Sequence, residues 1–415
     1  MSSEKGALEG LRVIEAATML AAPMCGMMLA DHGADVIKIE LPTHGDHARA
    51  FGHQKAGIPL FWKILARNKR SITLDLRTPR GRELLLRLIA TADVFIENFR
   101  PGTLDKWDLS AETLRAAKRD LIIMRMSGFG QTGPLSSRAG FGTLAEAMSG
   151  FAYINGWPDR PPTLPSFGLA DAIAGMAAAY GVLAALRHRD RTGEGQDVDI
   201  ALYEPILTVL GSIIIDYDQL GIVQERNGNL IPFAAPRNAY EARDGRWIAI
   251  SCSTQSTAVR LLDAIGKPEL LNDGRFSDNQ ARVANAGALD EHIAAWAKAR
   301  SYEEAIAILD DYGVTAGPIY NAADLYKDEH IRTRRSIVPV QDDDLGEIWM
   351  QAPIPRLTKT PGVVAFAGRT AAGHDNAAVF GELLGLTDAE LEEFAKDGVV
   401  SSAHRTYFAG MSCDE

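Results

Sequence analysis

The chain has 415 residues, 46% of them hydrophobic and 23% charged, with a formal net charge of −11 at pH 7. That length allows two or three domains with ample core, and the composition is ordinary for a water-soluble globular protein. The acidic balance argues against nucleic acid or an anionic membrane as the main partner, while leaving room for a local basic pocket.

In chain order, short apolar runs at 11–15, 36–40, 94–97 and 121–124 read as buried strands, with helical patterns at 23–32, 79–92 and 111–118 between them. Strand–helix alternation predicts an α/β fold, with a parallel sheet covered on both faces. An Ala-rich helix over 172–189 and a strand over 196–200 continue this pattern. Around 205–235 it loosens into an apolar helix and an Asn/Gly/Pro-rich loop. Residues 240–251 then read as a hairpin turning at Asp244-Gly245, followed by amphipathic helices at 256–265, 288–299 and 302–312. These give a first domain over 1–205, a smaller α+β domain over 225–325, and a C-terminal part over 330–415 that returns to the first.

Cys25, Cys252 and Cys413 are widely spaced and form no CxxC or His-paired pattern. A reducing, cytoplasmic setting without a metal is therefore expected. Met1-Ser-Ser-Glu-Lys-Gly lacks a signal peptide's apolar core. No apolar run reads as approaching the ~18 residues that span a bilayer.

Asp171 is the most telling residue. It is a carboxylate opening an otherwise uncharged run of small and apolar residues that extends to Leu186. A carboxylate beside apolar surface is poorly solvated, which makes it a better nucleophile and easier to trap as an acyl derivative. The competing reading is structural, because Asp is a favoured N-cap and complements the helix dipole.

Other chemistries lack their signatures. Ala16 to Gly26 carries no GxGxxG after the first strand, and the chain has neither GxxxxGK[ST] nor GxSxG. His44-Gly-Asp46-His47 reads as a loop rather than a metal cluster, and Cys25 as a buried small hydrophobe. Basic residues gather at 67–71, 77–80 and 98–106. The last group follows a strand end, where open parallel sheets place ligands, and its Arg and Lys side chains suit phosphates. Each of these charges also has the plainer reading of a solvated surface residue.

Taken together, the segments resemble the family III CoA-transferases. The resemblance runs through Gly10-Leu-Arg-Val-Ile-Glu15, Ala30-Asp-His-Gly-Ala-Asp-Val-Ile-Lys-Ile-Glu40, Asn68-Lys-Arg-Ser-Ile-Thr-Leu-Asp-Leu76 and Ala92-Asp-Val-Phe-Ile-Glu-Asn-Phe-Arg-Pro-Gly102. It continues through Ser127-Gly-Phe-Gly-Gln-Thr-Gly-Pro134, the Asp171 helix, Asp273-Gly-Arg-Phe276 and Gly313-Val-Thr-Ala-Gly-Pro318. It implies a Rossmann-like large domain built from both chain ends, a smaller middle domain, and two subunits interlocked as rings. It also implies that Asp171 is catalytic, passing through an aspartyl–acyl anhydride and an aspartyl-CoA thioester, with the bond energy kept at each step. CoA esters would be substrates, with no tightly bound cofactor. Positions carried over as CoA contacts are Met19, Leu20, Ala21, Leu74, Arg77, Asn98, Phe99, Arg100, Lys106 and Arg138.

Departures from formyl-CoA transferase refine the expectation. Leu20 stands where that enzyme has a glutamine, which argues against small oxalate-like acids. Phe141-Gly142 replaces an aromatic–acidic pair carried by many members. The run Phe141-Gly-Thr-Leu-Ala-Glu146 looks like members that move CoA from succinyl-CoA to dicarboxylic acids. An α-methylacyl-CoA racemase would need a second proton-transfer group, usually histidine, yet none lies between His53 and His188. A non-catalytic CoA-binding subunit remains the other rival. Assembly as a homodimer or as a heteromer with a related chain both fit the resemblance.

Overall fold

The computed structural model describes residues 6–402, so Met1 to Lys5 and Cys413 lie outside it. The chain forms two compact units. Within the described residues, one comprises 6–151, 164–212 and 332–402, and the other 152–163 and 213–331.

The larger unit is built on six parallel strands: β1 (Arg12–Ala16), β2 (Asp35–Glu40), β3 (Lys69–Thr73), β4 (Val94–Glu97), β5 (Ile122–Ser127) and β6 (Asp197–Ala201). Their order is β3-β2-β1-β4-β5-β6, with Val13 paired to Val36 on one side and to Val94 on the other. Strand order therefore reverses between β1 and β4, the place where doubly wound sheets open a crevice at their carboxyl ends. Successive side chains point to opposite faces. Val13, Val36, Val94, Ile96, Ile122 and Met124 form one core with the helices Ala21–Asp31 and Leu169–Thr192. Ile14, Ile37, Ile72, Phe95 and Ile123 form the other, covered by Pro79–Ile89 and by the late helices Asn376–Leu384 and Asp388–Lys396.

The helix Leu169–Thr192 is long and apolar enough, by length and composition, to cross a membrane, which corrects the expectation that no such run exists. Its Ala170, Ala174, Ala178 and Val182 are buried against the sheet and the helix Ala21–Asp31, as in a core helix. Small residues allow this approach. A Cβ on Gly175 would lie 2.7 Å from the carbonyl oxygen of Ala21.

Strand β3 was not read from the sequence, which shows only a gathering of basic residues at 67–71. Lys69 is buried, with its ammonium on Glu15 at 2.8 Å and on the Pro23 carbonyl at 2.6 Å. Arg67 pairs with Asp31 and Arg70 with Asp35, each through two nitrogens. Period-2 alternation hides here because the inward polar positions are paired rather than apolar.

The smaller unit has three antiparallel strands, β7 (Arg237–Glu241), β8 (Trp247–Ser251) and β9 (Ala316–Pro318), with β8 in the middle. The hairpin turns at Gly245, whose φ is +82°. Helices Gln255–Ala264, Ala286–Lys298 and Tyr302–Asp311 enclose a core of Ile248, Ile250, Leu261, Phe276, Ile293 and Leu309. Residues 152–163 join this unit through polar contacts that sequence patterning does not reveal. The Arg226 guanidinium donates to the Tyr153 carbonyl at 2.9 Å, and the Gly228 amide donates to the Gly156 carbonyl at 2.8 Å.

Candidate active site

A cavity of about 920 Å³ opens at the carboxyl ends of β1, β4 and β5, at the reversal of strand order. The turn after β1 supplies Thr18, Met19, Leu20 and Ala21, and the turn after β4 supplies Asn98, Phe99 and Arg100. Arg138, Gly142, Glu146, Gly168 and Asp171 also line it.

The turn after β1 is fixed from below by buried charge. The Asn98 side chain accepts from the Thr18 amide at 2.9 Å and donates to its carbonyl at 2.8 Å. The Met19 amide donates to Asp46 Oδ1 at 3.1 Å, while Met19 itself sits at a φ of +65°. Asp46 in turn pairs with Lys38 at 2.8 Å, and the Lys38 ammonium also donates to the Ala17 carbonyl. Left-handed backbone in a non-glycine residue is costly and persists only where neighbours determine it. Asp46 is thus committed to this scaffold, which agrees with a loop at 44–47; the rings of His44 and His47 lie 4.8 Å apart.

Asp171 is the third residue of the helix Leu169–Thr192, whose N-cap is Gly168 without a side-chain cap bond. The capping reading of Asp171 is therefore corrected. Among the described residues its carboxylate accepts no hydrogen bond. Burial, and then the nearby charge of Glu146, push its pKa up to about 6. Desolvation destabilises the ionised form more than the helix terminus stabilises it.

Glu146 is buried, and its Oε1 accepts from the Ala170 amide at 3.2 Å. Gly142 leaves space for Asp171, since a Cβ there would lie 2.2 Å from its Oδ2. Reasoning from residue type did not assign roles to Gly142 or Glu146. The only signal was their place in the run Phe141 to Glu146.

The structure thus brings Asp171 together with Met19, Leu20, Ala21, Asn98, Phe99, Arg100 and Arg138. Arg100 and Arg138 are exposed and have no carboxylate partner among the described residues. Leu74 and Arg77 line a neighbouring cavity of about 300 Å³ that shares Thr18 and Phe99 with the first. Arg77 forks onto Asp75 at 2.8 and 2.9 Å there. Lys106 is exposed at the end of the short helix Thr103–Lys106 and lines neither cavity. Cys25 is buried on its helix, as expected, and burial pushes its thiol pKa far up.

The α/β sheet thus carries, in the cavity at its switch point, a carboxylate whose pKa is raised by desolvation. The chain matches the model of CoA-transferase family III over residues 8–376 and belongs to that family. It is 47% identical over 385 residues to a succinyl-CoA–D-citramalate CoA-transferase of Chloroflexus aurantiacus, covering 92% of this chain and 96% of that one. It is 39% identical over 397 residues to the beta subunit of succinyl-CoA–L-malate CoA-transferase from the same organism, covering 95% and 98%. A solved CAIB/BAIF family protein from Brucella suis superposes with a TM-score of 0.81 at 35% identity, covering 91% of this chain and all of that one.

Proposed function

We propose that this family III CoA-transferase moves CoA from succinyl-CoA to a dicarboxylic acid, with Asp171 as the nucleophile. The observation that carries this reading is the Asp171 carboxylate itself, half-buried, without a hydrogen bond among the described residues and set in the switch-point cavity. An Asp171 oxygen attacks the thioester carbonyl, the C–S bond breaks, and the CoA thiolate leaves with the electron pair. The thiolate then attacks the aspartyl carbonyl of the anhydride and expels succinate, leaving an aspartyl-CoA thioester. The acceptor carboxylate attacks that thioester and expels the thiolate. The thiolate returns to the acceptor carbonyl and frees Asp171. Each step exchanges one activated acyl bond for another, so no proton or hydrolysis is needed. The anhydride requires a site closed to water.

The dicarboxylate assignment draws on relatives named for D-citramalate and L-malate. Met19, Leu20, Ala21, Asn98, Phe99, Arg100 and Arg138 would contact the CoA ester in the larger cavity. Leu74 and Arg77 would contact it in the smaller one, and Lys106 would act as a nearby cation. No metal or tightly bound cofactor takes part. An interlocked pair of subunits has support in exposed apolar residues of the larger unit, among them Tyr180, Phe141 and Phe167. A heteromer is the second reading, favoured by the likeness to a chain named as one subunit of a malate transferase.

The test is to incubate purified protein with succinyl-CoA and a panel of dicarboxylates, following new CoA esters and the intact-protein mass. The expected result is exchange together with a CoA adduct on the Asp171 peptide. Full exchange by Asp171→Ala would overturn the nucleophile reading, and exchange that appears only after a second chain is added would overturn the stand-alone one.

A further inference from the structure

The larger cavity holds a second carboxyl group that the transfer chemistry above does not use. Glu146 lies on the helix Gly142–Met148, is only 3% exposed, and lines the same cavity as Asp171. Among the described residues its carboxylate accepts one hydrogen bond, from the Ala170 amide in the first turn of the helix that bears Asp171. No lysine or arginine neutralises it among the described residues. A buried carboxylate is normally paired with a cation, because an unpaired charge in low dielectric is expensive. Here the neighbouring group is another acid.

We propose that Glu146 is a positioning residue that drives acylation, its uncompensated charge raising the free energy of the ionised Asp171 relative to the esterified one. This inference rests on Asp171 being the nucleophile. When Asp171 attacks the thioester it loses its negative charge, which departs on the CoA thiolate. Repulsion with Glu146 is relieved at that moment and returns when the carboxylate is regenerated. The Ala170 hydrogen bond keeps Glu146 at the right place, and Gly142, one turn earlier on the same helix, lets Asp171 approach.

The other charged groups lining this cavity are Arg100 and Arg138 on its loops, while the helices Ala21–Asp31 and Tyr203–Thr208, which pack on these two helices, carry Cys25, Asp31, Tyr203 and Glu204. Glu146 is the one whose charge acts on Asp171, in the same direction as burial.

The experiment compares wild type with Glu146→Gln and Glu146→Ala. The glutamine keeps an acceptor for the Ala170 amide and removes the charge. For Glu146→Gln we expect the acid limb of the kcat/KM profile to move to lower pH by about one unit. Charged with succinyl-CoA in the absence of acceptor, the same variant should show an equilibrium aspartyl-CoA adduct fraction relative to free enzyme about tenfold lower. Glu146→Ala should show both changes and lose stability as well. An unmoved acid limb and an unchanged adduct ratio in a folded Glu146→Gln protein would overturn the proposal. Full exchange by Asp171→Ala would instead remove the nucleophile reading on which it stands, so the two failures are distinguishable.

Discussion

Gly142 and Asp171 occupy each other's space to within a single methyl group. A Cβ on Gly142 would fall 2.2 Å from Asp171 Oδ2, well inside van der Waals contact. Gly142→Ala is therefore expected to rotate or push back the carboxylate. A displacement of about 1 Å in a reacting group can cost on the order of 10²-fold in rate. Steady-state assays should show that loss mainly in kcat. A variant with wild-type kcat would mean that the carboxylate relocates without consequence.

Activity should fall as the solution is acidified through about pH 6, since Asp171, as the proposed nucleophile, must be ionised and its pKa is pushed up to about 6. Below that point kcat/KM should drop about tenfold per pH unit. A limb near pH 4 would show a carboxylate solvated like a model acid.

The same shift has a stability consequence of opposite sign. The unfolded carboxyl ionises near the model value of 3.8, and the folded one near 6. The folded state therefore binds this proton more tightly, and stability is lost as pH rises from about 4 through 6. Asp171→Asn cannot ionise, so at pH 8 it should be more stable than wild type by about 1–3 kcal/mol, discounted for partial solvation. That advantage should shrink towards pH 4, which thermal melts at the two pH values would reveal.

Lys38→Met leaves the buried Asp46 and Glu15 short of their shared cation. Breaking a buried pair from one side costs about 3–5 kcal/mol, and chemical denaturation should register it. The turn at Met19 should loosen with it, raising KM for CoA esters in whatever protein still folds. Unchanged stability would mean that water enters and replaces the ammonium.

Neutralising Arg77 and Lys106 together should raise KM for CoA esters by about tenfold at low salt, with a smaller effect at high salt. A KM indifferent to both changes at every salt concentration would remove these residues from phosphate binding.

Four of the six parallel strands and the main helices were legible, because Val13-Ile14, Val36-Ile37, Val94-Phe95-Ile96 and Ile122-Ile123 are continuous apolar runs between turn signals. Strand β6 was legible from its neighbours. Strand β3 was not, since Lys69 and Ser71 are buried by pairing with Glu15 and Glu40, which no periodicity reports. Asp171 stood out because it is the one charge in the apolar run that extends to Leu186. Gly142 and Glu146 did not, because a glycine that clears space and an acid that lacks a cation are properties of neighbours in space. The placement of 152–163 with the smaller unit was hidden for a similar reason, as it depends on backbone carbonyls that Arg226 and Gly228 reach.

The late helices Asn376–Leu384 and Asp388–Lys396 lie over the sheet face formed by Ile14, Ile37, Ile72 and Phe95. Those strands leave the ribosome hundreds of residues before their cover does. A nascent chain halted before residue 376 must therefore hold a broad oily surface in water, where chaperones and like chains can reach it. Completion of this sheet face waits for residues 376–396 to emerge.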